Sequence, residues 1–222
     1  REVVDWSYEN VTSTLCSCLA THAVLESKYK QKRSPIGKKH WGVFPHKVVD
    51  RTHPLVKGVN TRFDVPHSRH NEISRSQFDE ANIKVLAASK VGVHLAVSPD
   101  LFRIVFFQGH PEYDSISLLK ELKREIAIYL EGGRSDYPPF PTNYLSPQCC
   151  AILEEYKTRL IAKSASIKDF PEQLIMQTLD NTWHDSASAI INNWIGCFYQ
   201  VTNEDIKLPF MESVDPQNPL GL

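Results

Sequence analysis

The sequence predicts an α/β fold, a parallel β-sheet flanked by helices, from three observations. Short runs of β-branched, aromatic and small residues, as at 83–88, 92–97 and 102–107, are typical of buried strands. Longer segments with apolar side chains at helical spacing, as at 19–30 and 115–131, are typical of amphipathic helices. Polar residues directly follow several strands, which in an open α/β sheet places a crevice at the carboxyl ends of the strands.

Composition bounds the size of the domain and the class of its partners. With 222 residues, 41% of them hydrophobic, the chain can form one core, and we expect 1–222 to be a single α/β domain. The 25 Lys and Arg residues nearly balance the 26 Asp and Glu residues, which argues against a nucleic-acid partner. No apolar run approaches the roughly 20 residues of a membrane-spanning helix, and residues 1–5 lack the apolar stretch of a signal peptide. We therefore expect no membrane partner.

The cysteines indicate the redox compartment. They are Cys16, Cys18, Cys149, Cys150 and Cys197. An odd number without the spacing of a disulfide framework argues against a secreted protein, and no second Cys or His pair follows at the spacing of a zinc site. The sequence therefore predicts a reduced, cytoplasmic protein with no bound metal.

The N-terminal segments place Cys18 at a junction between a strand and a helix. Residues 1–10 have an amphipathic helical pattern, 11–18 has the composition of a short buried strand, and 19–30 is predicted to be helical. The N-terminus of a helix lowers the pKa of a thiol and binds anions, so Cys18 is a candidate nucleophile. The alternative is a buried thiol that serves as a small hydrophobic residue.

The middle of the chain is predicted to alternate between loops and strands. Residues 40–65 contain short apolar runs broken by Gly and Pro, which suggests hairpins and loops. The polar stretch 66–70 (PHSRH) is predicted to be a loop. The three strands named above follow, and the last leads into a turn at 108–112. A helix over 115–131 comes next, ended by the glycines at 132–133.

The C-terminal part is predicted to be helical and then extended. Residues 137–147 form a Pro-rich loop, and 150–162 and 185–199 have apolar side chains at helical spacing. Residues 207–222, with three prolines, are predicted to be an extended tail.

His110 and Glu112 are the candidate partners of Cys18. A thiolate nucleophile needs a base within hydrogen-bond reach, and that base needs a group that holds its tautomer. Pro111 restricts the backbone between His110 and Glu112, so both side chains can point into one crevice. The tripeptide alone is better explained as a turn with a solvated acid. Joined to a cysteine at a strand–helix junction, it favours a Cys-His-Glu triad.

Several motifs, in order and at matching spacing, resemble those of the homoserine O-acyltransferase family. This family comprises homoserine O-succinyl- and O-acetyltransferases and belongs to the class I glutamine-amidotransferase-like superfamily. The matching motifs are VTSTLCSC (11–18), GVFPHKV (42–48), DVPHSRH (64–70), LAASKVGVHLAVS (86–98) and FFQGHPEYDSISLLKELKRE (106–125). A weaker match resumes with WHDSASAIINNWIGCFYQVTNEDI at 183–206.

The resemblance implies a flavodoxin-like catalytic domain that acylates the hydroxyl of L-homoserine in methionine biosynthesis. Cys18 would form the acyl-thioester, His110 would accept the proton, and Glu112 would orient His110. Acyl-CoA, with a succinyl or an acetyl group, would be a co-substrate, and no cofactor would be bound. The substrate-binding residues implied by the matching motifs are Lys39, Ser68 and Arg124. Without the resemblance, Lys39 and Arg124 would be interpreted as solvated members of charged runs.

The chain also departs from the family pattern. Leu19 stands where a bulky aromatic residue is usual, and His22 stands where Gln is usual. Residues 148–182 resemble a helical insertion. The family's N-terminal portion has no counterpart, so we expect a parallel sheet that is incomplete at its N-terminus. We accordingly expect a homodimer or an association with a chain that supplies that portion.

Three alternatives stay open at this point. Serine could replace homoserine as the acceptor, since the two differ by one methylene, worth about 1–3 kcal/mol in a pocket. A glutamine amidotransferase-type hydrolase would share the Cys and the H-x-E pair, but those enzymes place glycines on both sides of the nucleophile, where this chain has Cys16 and Ala20. The third alternative is a non-catalytic homologue or subunit.

Overall fold

A computed structural model describes residues 2–205 and 207–222, and in this part the chain forms a six-stranded sheet flanked by seven α-helices. The N-terminal elements are α1 (Glu2–Asn10), β1 (Thr14–Ser17), α2 (Leu19–Tyr29), β2 (Ser34–Val48), β3 (Arg62–Glu72), α3 (Arg75–Glu80), β4 (Lys84–Ser89), β5 (Gly92–Val97) and β6 (Ile104–Phe107). The C-terminal elements are the helices α4 (Ser117–Leu130), α5 (Pro147–Ile161), α6 (Glu172–Met176) and α7 (His184–Val201).

The α/β class is confirmed, but the sheet is mixed and not parallel throughout. Its strand order is β1-β6-β5-β4-β2-β3. Only the β1–β6 pair is parallel among the described strands, and the other neighbours are antiparallel. For β4–β5 and β5–β6, connection length explains the antiparallel pairing, because only residues 90–91 and 98–103 join these strands and a parallel connection needs about a dozen residues or more.

The hairpin predicted within 40–65 is present, because β2 and β3 pair in antiparallel orientation, but the prediction of a loop at 66–70 is wrong. β2 runs continuously from Ser34 to Val48 and pairs with β3, which contains the PHSRH stretch. Gly42 does not break β2; it allows a close approach of another segment, since a Cβ there would lie 2.1 Å from the Thr142 carbonyl oxygen. That carbonyl accepts a hydrogen bond from Val43 N at 2.8 Å. A strand that is buried on both faces lacks the alternation of apolar and polar residues that marks a strand in a sequence. It is therefore hard to distinguish from an irregular segment.

Three apolar clusters cover the two faces of the sheet. One joins β2 to the inner faces of α4 and α5, and 148–182, predicted to be helical, contributes Leu153, Phe170 and Ile175 to it. A second joins the middle strands to α7, and a third joins them to α2 and α3. The described part of 207–222 contains neither helix nor strand. Within the described residues, no helix is both long and apolar enough to cross a bilayer.

The parallel β1–β6 pair positions the candidate site. Its register matches Ser17 with Phe107, so the two strands end side by side. Cys18 follows β1 directly, and the segment leading to His110 follows β6. Residues 92 positions apart in the sequence, by 110 − 18, therefore lie at the same edge of the sheet.

Candidate functional site

Cys18 occupies a strained turn between β1 and α2. Its backbone has φ 47° and ψ −107°, a conformation that residues with a Cβ rarely adopt. Three contacts hold it there. Cys18 N donates to the Phe107 carbonyl at 2.8 Å, and the Cys18 carbonyl accepts from His22 N at 3.1 Å. The Thr21 hydroxyl lies 2.8 Å from the carbonyl oxygens of both Cys16 and Phe107. A sharp strand–turn–helix of this kind projects a nucleophile from the sheet edge.

His110 and Glu112 form the predicted pair beside Cys18. Glu112 Oε1 lies 2.8 Å from His110 Nδ1, which leaves the other ring nitrogen for the thiol side. Ser17, the last residue of β1, donates its hydroxyl to the same carboxylate, at 3.2 Å from Oε1 and 3.1 Å from Oε2. The carboxylate is therefore held by the last residue of the strand that leads to Cys18 as well as by the histidine.

The pKa of His110 is raised to about 9 by its neighbours. Burial alone would lower the pKa, but hydrogen bonds and charge interactions with Cys18 and Glu112 outweigh it. Burial likewise acts to raise the pKa of Glu112, yet that pKa is lowered because His110 and Ser17 hydrogen-bond its ionised form. The geometry thus favours a protonated imidazole at His110, beside Cys18 and hydrogen-bonded to the ionised Glu112.

The turn before His110 is held by packing on β3 and β5. His110 N donates to the Pro66 carbonyl at 2.9 Å, and the His110 ring stacks on Tyr113 with centroids 4.1 Å apart. At Gly109, a Cβ would lie 2.5 Å from Val65 Cγ1 and 3.0 Å from His67 Cε1. Only a glycine fits here, so the close approach of this turn to β3 fixes where His110 sits.

A second polar cluster centres on Glu121 of α4. Ser68 Oγ donates to Glu121 Oε2 at 2.6 Å, and Tyr113 Oη donates to Oε1 at 2.6 Å. Lys39 Nζ lies 3.8 Å from Oε2. Two of the three predicted substrate-binding residues, Lys39 and Ser68, therefore meet at one carboxylate. Tyr113 links that carboxylate to the ring of His110.

Lys39 and Arg124 differ in their surroundings. The Lys39 ammonium lies 4.3 Å from the centre of the Trp41 ring, and burial lowers its pKa although Glu121 acts in the opposite direction. The Arg124 side chain is 64% exposed, and its guanidinium lies 3.9 Å from Glu125. The structure thus places Arg124 on the solvent side of α4, and its predicted role stays a prediction.

Sequence reasoning missed Ser17, Tyr113 and Glu121. Ser17 lay inside a segment assigned only to a buried strand, and Glu121 lay in a charged helix that is typical of a solvated surface. One signal was present: Glu121 lies within the family-like motif at 106–125. His22 is buried and donates to Gln108 Oε1 at 3.0 Å, which makes it a core residue behind the site. Leu19, directly after Cys18, is 61% exposed.

The described residues offer no group of three His, Cys, Asp or Glu side chains placed to hold a metal ion.

Comparison with known proteins identifies the family. The family model described as homoserine O-succinyltransferase matches residues 1–204. The chain belongs to the homoserine O-succinyltransferase family. It is 64% identical over 225 residues to the homoserine O-succinyltransferase of Nitrosococcus oceani, which covers 100% of this chain and 63% of the relative. It is 60% identical over 224 residues to that of Thioalkalivibrio nitratireducens, again with 63% of the relative covered.

The chain thus spans about 63% of the length of these curated relatives. Among solved structures, a glutamine amidotransferase of Methylobacillus flagellatus is similar, with a TM-score of 0.49, 14% identity, and coverage of 88% of this chain and 66% of that one. A glutamine amidotransferase of Thermotoga maritima gives a TM-score of 0.46 at 12% identity, covering 87% of this chain and 64% of that one. With TM-scores below 0.5, this structural likeness supports no conclusion about the chemistry of the chain.

Family membership confirms the resemblance inferred from the motifs. It does not test the roles of individual residues, so those of Cys18, His110, Glu112, Lys39 and Ser68 remain predictions.

Proposed function

We propose that this chain transfers a succinyl group from succinyl-CoA to the hydroxyl of L-homoserine, through an acyl-thioester on Cys18, in methionine biosynthesis. The observation that carries the proposal is the strained Cys18 at the N-terminus of α2, beside a histidine whose pKa is raised to about 9 by interactions with Cys18 and Glu112, and which Glu112 holds at 2.8 Å. Membership of the homoserine O-succinyltransferase family supports the choice of donor and acceptor.

In the first half-reaction, the Cys18 sulfur attacks the thioester carbonyl of succinyl-CoA. A bond forms between Sγ and the carbonyl carbon, and the bond to the sulfur of coenzyme A breaks. His110, protonated beside Cys18, gives its proton to the departing thiolate, so coenzyme A leaves as the thiol. The N-terminus of α2 presents backbone N–H groups next to Cys18, which can stabilise the oxyanion of the tetrahedral intermediate.

In the second half-reaction, neutral His110 takes the proton of the homoserine hydroxyl. The hydroxyl oxygen attacks the thioester carbonyl, the bond to Cys18 Sγ breaks, and O-succinylhomoserine leaves. Glu112 stabilises the imidazolium that forms and keeps Nδ1 protonated, so that the other ring nitrogen faces the reacting atoms. Succinyl-CoA is consumed as a co-substrate, and the proposed steps require no bound cofactor.

The acceptor site proposed for homoserine lies at the Glu121 cluster. The ammonium of Lys39 can bind the carboxylate of the amino acid, and Ser68 Oγ can bind a polar group of the substrate, while Glu121 holds both in place. Arg124, on the same helix, would complete carboxylate binding if its exposed side chain turns inward when the substrate binds.

The proposal is tested by steady-state release of coenzyme A thiol. We expect thiol release from succinyl-CoA that depends on L-homoserine, with slower release from acetyl-CoA and with L-serine. His110→Asn should abolish it, whereas His184→Asn, at an exposed position on α7, should leave it unchanged. Glutaminase activity without homoserine-dependent thiol release would contradict acyl transfer and favour the hydrolase alternative.

We further propose that the active unit contains a second copy of this chain. The support comes from the sheet edge at β1. Thr14 and Cys18 donate to β6, so by alternation Leu15 and Ser17 direct their backbone groups away from it, and within the described residues their N–H groups have no partner. An unpaired edge of this kind accepts an added strand.

Exposed apolar side chains in the segments that flank β1 also support the assembly. Trp6 is 58% exposed, and Leu19 is 61% exposed. Light scattering coupled to size-exclusion chromatography tests this assembly. A monodisperse monomer with full transferase activity would contradict it. We place the reaction in the cytoplasm, in keeping with five cysteines that are all free thiols.

A further inference from the structure

A cavity of about 470 Å³ opens between β2 and the turn joining β4 to β5, away from Cys18. It exists because β2 and β4 pair only at Lys47 with Ala88 and at Val48 with Ala87, and then diverge. None of the residues that line it belongs to the Cys18 site or to the Glu121 cluster. Its volume lies within the range of about 300–1,000 Å³ that is typical of small-molecule sites.

Three cations line this cavity without a counter-ion. Lys47 and Arg62 are direct cross-strand neighbours on β2 and β3, and Lys90 lies in the turn between β4 and β5. Within the described residues, none of the three side chains forms an ion pair or a hydrogen bond, and no carboxylate lines the cavity. Asp64, two residues along β3, accepts a hydrogen bond from Thr182 at 2.7 Å. Like charges directly opposite each other on neighbouring strands destabilise a sheet, and a bound anion would relieve that repulsion.

The remaining wall is apolar. Phe44 and Pro45 of β2 and Val91 of the turn contribute to it. A site that combines three cations with an apolar wall suits a ligand that has phosphate groups at one end and a planar or apolar part at the other.

The buried base of the cavity shows why a metal ion does not fit there. His46 Nε2 lies 3.4 Å from His67 Nε2 and 3.1 Å from Ser89 Oγ. Arg69 Nε donates to His67 Nδ1 at 3.3 Å, so neutral His67 carries its proton on Nε2 and donates it to His46. His46 Nδ1 in turn donates to the Phe44 carbonyl at 2.9 Å. Both ring nitrogens that face each other are thereby committed to hydrogen bonding, and neither ring has a lone pair left for a cation.

We propose that this cavity binds a phosphate-bearing small molecule, with its phosphates on Lys47, Arg62 and Lys90 and its planar part against Phe44 and Pro45. Two sources share this chemistry, the phosphate end of coenzyme A and a free nucleotide. The proposal concerns binding and does not depend on the transferase activity.

Calorimetric titration of the full chain with adenosine 3′,5′-bisphosphate tests the proposal. We expect saturable binding that unphosphorylated adenosine does not reproduce. Lys47→Gln and Lys90→Gln should each weaken binding about tenfold, because each removes a charge-assisted contact with phosphate. Lys168→Gln, an exposed lysine on the far helical segment, is the matched control and should bind as the unchanged chain does.

Two further measurements sharpen the result. Ring resonances of His46 should shift on binding, since His46 forms the base of the cavity. If succinyl-CoA displaces the bisphosphate, the ligand is the acyl donor; if both bind together, it is a separate nucleotide. Either outcome supports the site and assigns its source. Failure of the bisphosphate to bind at millimolar concentration, or binding that Lys47→Gln and Lys90→Gln leave unchanged, would overturn the proposal.

Discussion

Replacing Glu112 by Gln tests the arrangement that activates the nucleophile. Glu112 Oε1 accepts from His110 Nδ1 at 2.8 Å, and its charge contributes to the raised pKa of His110. A hydrogen bond to a charged group contributes about 1.5–3 kcal/mol, and because the Glu112 side chain is 54% exposed, solvent screening favours the lower part of that range. A loss of about 2 kcal/mol corresponds to a rate about 30-fold lower.

The pH dependence gives a second, independent readout. The pKa of His110 is raised to about 9, so the protonated form is present below that pH and is lost as the pH rises through it. We expect kcat/KM for succinyl-CoA to fall above about pH 9. In Glu112→Gln the fall should begin at lower pH, because one of the groups that raise the pKa is gone.

The assay is thiol release from succinyl-CoA across a pH series, with Glu155→Gln on the exposed face of α5 as the matched control. A variant Glu112→Gln with unchanged kcat/KM and an unchanged alkaline limb would refute the reasoning.

Three further predictions concern the supports of the site. Ser17→Ala removes the hydroxyl that lies 3.1 Å from Glu112 Oε2 and should lower kcat about fivefold. Circular dichroism of this variant should show an unchanged fold. Glu121→Gln leaves one of its two hydroxyl donors without an acceptor and removes the charge facing Lys39. The KM for homoserine should therefore rise about tenfold while thioester formation continues. An unchanged KM would argue against the acceptor site. Gly109→Ala forces a Cβ to within 2.5 Å of Val65 and should cost about 1–3 kcal/mol of stability, measured as a lower Tm.

The N-terminal elements and the placement of Cys18 near His110 and Glu112 could be predicted from the sequence because the signals were local. The strand ending at Ser17, the helix beginning at Leu19 and the turn at His110 each have a pattern that one segment determines. Their meeting at one sheet edge followed from the rule for parallel strands, which holds for the β1–β6 pair.

The rest of the sheet depended on long-range pairing that local patterns do not show. β2 and β3 contain Gly, Pro and His residues that are typical of loops, yet tertiary packing buries them: His67 is 0% exposed. The same limit hid Glu121, whose partners Ser68 and Tyr113 come from different elements and meet it only in the folded chain. Local propensity is a weak guide where burial on both faces determines the structure.

The most direct test of the central claim is intact-mass spectrometry of the chain, in its active assembly, after mixing with succinyl-CoA in the absence of homoserine. We expect one covalent succinyl adduct that maps to Cys18, is absent in Cys18→Ala, persists in Cys150→Ala, and disappears when L-homoserine is added. An adduct on another residue, or turnover of homoserine by Cys18→Ala, would contradict it.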